Sequence, residues 1–172
     1  RINTLINGEP ICEVDFSANH LRLNLAFNGG VDAGDDPYTT VGEEAGIESR
    51  QLVKKFFTIA MGGDNEVGAL HACFTQGVSK ENFQKLKDAS LKIFPKLELF
   101  NGWGIYAQNF EGQILKNVML EGVKEGIVCL PVHDAVAVPL DHIGWACEEM
   151  RYQWDKQMSV SGLARVTTDI PA

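Results

Sequence analysis

The chain has 172 residues, a formal net charge of −8, 45% hydrophobic residues and 22% charged residues. That length suffices for one compact domain with a sizeable core, and the composition is ordinary for a soluble globular protein. No apolar run reaches the length of a membrane span, no secretory leader is recognisable, and the acidic balance argues against holding nucleic acid by bulk charge, because such affinity comes largely from Lys and Arg neutralising phosphates. Cys12, Cys73, Cys129 and Cys147 are scattered and form no C-x-x-C pair, which argues against a zinc site. They read as reduced thiols of a cytoplasmic protein, with Cys12 and Cys129 in buried strands. The first residue is Arg1 rather than methionine, which leaves flanking domains open.

Asn7-Gly8 lies between the apolar runs 2–6 and 10–15, and Asn-Gly in that setting predicts a two-strand hairpin. A short helix is expected over 19–27, with Leu21, Leu25 and Ala26 toward the core. Residues 28–34 form a turn-rich break. Asp36 then caps a helix whose first residue is Pro37. A helix over about 48–61 carries Arg50, Lys54 and Lys55 on one side and ends at Gly62-Gly63. Helices follow over 65–76 and from Ser79 to before Pro95. A loop is expected over 101–104 and a helix over 106–124. Residues 127–139 read as strand, tight turn and strand, with His133-Asp134 at the turn. An amphipathic helix over 139–158 turns Ile143, Trp145, Cys147, Met150 and Trp154 inward, and 163–168 forms a last strand. The pattern predicts an α+β fold, an antiparallel sheet with helices packed on one face. No linker, repeat or low-complexity segment is visible, so 1–172 reads as a single domain.

Two short runs carry the chemistry: V-D-F-S-A-N-H-L-R from Val14 and L-P-V-H-D-A-V from Leu130. Each puts an aspartate, Asp15 or Asp134, at the end of an apolar strand. Carboxylates delivered by neighbouring strands suit a two-metal phosphoryl-transfer site, whose ions lie about 4 Å apart. Carboxylate oxygen is the hard ligand that Mg²⁺ prefers, with water and substrate phosphates filling the remaining positions. Either aspartate alone also reads as an ordinary strand-end or turn residue.

The chain resembles the family A DNA polymerases at these residues. Asp15, Phe16, Ser17, Leu21 and Arg22 fall in step with the family's first motif, D-Y-S-Q-I-E-L-R. Val132, His133 and Asp134 match its last motif, V-H-D-E, and Ala135 departs from it. Arg50 and Lys54 follow the R-x-x-x-K pattern of the family's nucleotide-binding helix. Gln108, upstream of Ile114, Leu115, Lys116 and Met119, resembles the glutamine helix before the last motif. The order is the family's, and the resemblance runs over most of the chain. It implies a polymerase palm with a reduced fingers insertion at approximately 28–104, and no thumb or exonuclease domain is visible.

The roles that follow are implied by the resemblance. Asp15 and Asp134, with the Phe16 carbonyl, would hold Mg²⁺ or Mn²⁺ for a two-metal DNA-directed nucleotidyl transfer. Arg50 and Lys54, on one helix face, would grip a nucleoside triphosphate, with His20 beside its sugar. His133, Gln108 and Arg22 would touch primer-template DNA, RNA being the open alternative, and further replication domains or subunits are possible partners. No membrane partner is expected. Thr58 and Gly62 stand where the family has aromatic residues, so the stacking surface for the base is lost. Three readings follow: a minimal polymerase palm, a catalytically degenerate palm that binds nucleic acid or scaffolds a replication complex, and a metal-dependent phosphodiesterase using the same carboxylates.

Overall fold

A computed structural model describes residues 4–170. The fold is α+β, a five-stranded antiparallel sheet with helices packed against it. The chain divides into two compact units, 1–19 with 109–172, and 20–108. The second unit takes in the 28–104 stretch that the sequence sets apart.

The first unit holds the whole sheet. Strand β1 (Leu5–Ile6) turns through Asn7-Gly8 into β2 (Glu9–Phe16). Both turn residues have positive φ, 54° and 85°, the conformation for which Asn-Gly is favoured in a two-residue hairpin. The first part of the expected strand, residues 2 and 3, lies outside the described residues. Strand β2 is the centre of the sheet: β4 (Ala135–Pro139) lies antiparallel along one side, and β1 and β5 (Val166–Asp169) pair elsewhere along it. Strand β3 (Leu130–Val132) pairs with β4.

Alternation along β2 and β4 sorts their side chains. Cys12, Val14, Phe16, Val136 and Val138 share one face and are buried. Ile11, Glu13 and Asp15 share the other, where Ile11 clusters with Ile6, Ala137 and Val132. Helix α7 (Ile143–Met158), entered through a 3-10 turn at Leu140–His142, packs on β2, β4 and β5. Its buried stripe is Ala146, Met150, Gln153 and Trp154. Met150 and Trp154 are buried as expected, whereas Ile143, Trp145 and Cys147, also expected inward, are only half-buried. Cys129 also departs from expectation: it precedes β3 and is half-buried, whereas Cys12 is fully enclosed in β2. All four thiols are free, and burial pushes Cys73 and Cys129 up to about 11.

The second unit is helical: α1 (Asn19–Phe27, from His20 onward), α2 (Pro37–Ala45), α3 (Arg50–Gly62), α4 (Glu66–Thr75), α5 (Lys80–Ile93) and the start of α6 (Trp103–Glu125). Side chains of Asp36, Ser49, Asn65 and Ser79 cap α2 to α5, accepting backbone N–H groups that the first turn leaves without partners. Phe56 lies edge-on to both Phe57 and Phe83, within 5.5 Å, an arrangement aromatic rings favour. Trp103 and Gly104 were expected in a loop but begin α6. Asn101 Oδ1 accepts the Trp103 N–H at 3.3 Å and starts the helix early. Gly104 also lies against α3, where a Cβ would come within 3.2 Å of the Gly62 backbone. Among the described residues, no helix is long and apolar enough to cross a membrane.

Candidate functional site

Asp15 and Asp134 belong to the first unit, and the sheet register places them on neighbouring strand ends. Asp15 is the penultimate residue of β2, opposite Ala135 on β4 and Thr167 on β5. Directly opposed residues in an antiparallel pair have Cα atoms about 4.5–5.5 Å apart. Asp134 immediately precedes Ala135, and its carbonyl accepts the Phe16 N–H at 3.4 Å. The two aspartates therefore sit at the same end of two adjacent central strands. One oxygen of Asp15, Oδ1, is shielded from solvent.

The local backbone explains how Asp134 arrives there. Val132 pairs with Ala135, so His133-Asp134 is a two-residue turn. His133 adopts φ +55° to close it, a left-handed conformation that costs a non-glycine residue roughly 1–2 kcal/mol. Ala18, just after the other motif aspartate, is also left-handed at φ +51°. Such strained residues concentrate at functional sites, where surrounding structure holds them. His133 is exposed. The Ser17 N–H donates to Arg165 O at 2.8 Å, fixing the exit from β2.

The donor set suits one kind of metal. Among the described residues, no three His, Cys, Asp or Glu side chains form a group able to hold a metal ion. Two carboxylates at strand ends, plus backbone carbonyl oxygen, fit a Mg²⁺ site completed by water and phosphate oxygen. They do not fit a closed four-ligand cage.

The other expected residues belong to the second unit. Arg50 opens α3, and its Nε and Nη2 donate to Asp36 Oδ2 and Oδ1 at 2.7 and 3.2 Å. Its guanidinium also lies 5.3 Å from the centre of the Tyr38 ring. Burial pushes the Asp36 carboxyl up, but hydrogen bonds from Arg50 and Thr39 outweigh it and hold the carboxyl below its ordinary value. The same bond to Asp36 pushes Arg50 up. Lys54 is exposed one turn further along α3, and its carbonyl accepts the Thr58 hydroxyl at 3.0 Å. His20 is half-buried, and its carbonyl accepts from Trp103 Nε1 at 3.4 Å. Gln108 is exposed on α6.

Arg22 has a different setting from the DNA contact expected of it. It is buried, and its Nη2 donates to the carbonyls of Gly34 and Asp35 at 2.7 and 3.0 Å. These bonds tie α1 to the loop at Gly34 and Asp35. Sequence reasoning also missed a polar chain in the first unit. Buried Trp154 donates from Nε1 to Asn19 Oδ1 at 3.0 Å, and Asn19 Nδ2 donates to Glu111 Oε2 at 2.8 Å. Nothing in the spacing of residues 19, 111 and 154 signals it. No family model matches the chain, and no curated protein matches it.

Proposed function

We propose that this chain is a palm-like nucleotidyltransferase, resembling family A DNA polymerases, that extends a primer on a DNA template with Mg²⁺ or Mn²⁺. The reading rests on one observation: the β2–β4 register brings Asp15 and Asp134 to one end of the central strands. Bound there, two divalent ions would lower the pKa of the primer 3′-hydroxyl and offset charge on the leaving pyrophosphate. Asp15 and Asp134 hold that position, and the Phe16 carbonyl is the third oxygen the reading assigns. Arg50 and Lys54 neutralise the triphosphate. The resemblance assigns His20 to the sugar, and His133 and Gln108 to the nucleic acid.

A second reading is favoured by Arg50, which is already engaged by Asp36. With Thr58 and Gly62 in place of stacking aromatics, the chain would then be a degenerate palm that binds nucleic acid or scaffolds a replication complex. Primer extension on a recessed duplex at low salt separates the readings. The polymerase reading expects metal-dependent addition of nucleotides, reduced about 100-fold or more by Asp134→Asn, since the metal contribution is worth several kcal/mol. No extension by the folded wild type would favour the scaffold, and shortening of the primer without added nucleotides would favour a phosphodiesterase.

A further inference from the structure

We propose that Asp36 is a positioning residue for Arg50, fixing its guanidinium so that the remaining N–H groups face a nucleotide phosphate. The inference rests on the nucleotide-binding reading of Arg50 given above, and it assigns a role to a residue that the motifs do not include. Asp36 is itself held by several hydrogen bonds. It caps α2, accepting the N–H groups of Tyr38 and Thr39 at 3.2 and 3.5 Å and the Thr39 hydroxyl at 2.8 Å. It takes Arg50 through Nε and one Nη2 proton. A guanidinium has five N–H donors in a planar fork, so three remain, two on Nη1 and one on Nη2.

Tyr38 supplies a second anchor. It is buried, its ring lies 5.6 Å from that of Phe57, and the Arg50 guanidinium lies over it. A cation held over an aromatic face and in a carboxylate fork keeps one orientation. Beside this arrangement lies a groove of about 490 Å³ whose lining includes Tyr38, Thr39, Ile47 and Arg50 together with the carboxylates Glu43 and Glu48. Gly42, one of its lining residues, packs so closely that a Cβ there would come 2.7 Å from the Ile47 carbonyl. The Asp36 charge is shared with the α2 N-terminus and so does not cancel Arg50 alone. Orientation, rather than competition for the cation, is what Asp36 contributes.

The test is equilibrium binding of dATP with Mg²⁺ to the full chain, comparing wild type, Asp36→Asn, Arg50→Ala and the double variant. Asparagine caps a helix as well as aspartate does, so Asp36→Asn keeps α2 while weakening the fork; Asp36→Ser is a second such cap. Freeing one immobilised side chain should weaken binding about 3- to 10-fold. The double variant should bind no more weakly than Arg50→Ala, a non-additivity that loss of fold would not produce. If Arg50→Ala weakens binding while both Asp36 variants bind as well as wild type or more tightly, the positioning role is overturned and the nucleotide reading stands. If Arg50→Ala binds like wild type, or the wild type itself does not bind, the nucleotide reading falls and takes the inference with it.

Discussion

Ala18 and His133 hold left-handed backbone within a few residues of Asp15 and Asp134. Alanine disfavours that conformation more than histidine does, and glycine would adopt it without a Cβ clash. Ala18→Gly should therefore stabilise the chain by about 0.5–1 kcal/mol, read from urea denaturation; a loss of stability would mean that the Ala18 methyl group contributes more packing than strain. At this scale the sequence was legible where the chemistry is local. Asn7-Gly8 announced its turn, and Asp36 announced its cap. Arg50's ion pair with Asp36 spans 14 residues and closes only when α2 and α3 pack, so no local pattern carried it. Arg22 was legible as a motif residue, but not as the buried tie that its bonds to Gly34 and Asp35 make it.

Among the elements, helix starts followed their caps. Ser49 and Ser79 stand within a residue or two of the expected boundaries, since each side chain accepts an N–H of the first turn. The start of α6 was misread because Gly102 and Gly104 suggested a loop, whereas Asn101 caps the Trp103 N–H and Gly104 permits close packing on Gly62. In α7, Met150 and Trp154 are buried as their apolar spacing predicts, while Gln153, buried in the same stripe, is polar and gave no such signal. Trp154 shows what that stripe does. Trp154→Phe would strip the buried Asn19 Oδ1 of its 3.0 Å donor, and a buried acceptor left unsatisfied costs about 1–3 kcal/mol. The variant should lose at least that much in urea denaturation; an unchanged midpoint would mean that water replaces the indole N–H.

For the whole molecule, the antiparallel α+β class was legible because period-two runs, turn signals and capped helices agreed on it. The boundaries of the two compact units, after Asn19 and after Gln108, were not. The second falls inside the continuous helix α6, where composition does not change. The aspartate pair was legible as two motifs, but the long-range β2–β4 register that joins them was not. On the proposed reading, Asp15 and Asp134 act together on divalent metal. Electron paramagnetic resonance titration with Mn²⁺ tests it most directly, with wild type beside Asp15→Asn and Asp134→Asn. Saturable uptake of Mn²⁺ by the wild type, displaced by Mg²⁺ and lost in each variant while the far-ultraviolet circular dichroism is unchanged, is the predicted result. Equal uptake by all three proteins, or none by the wild type, would contradict it.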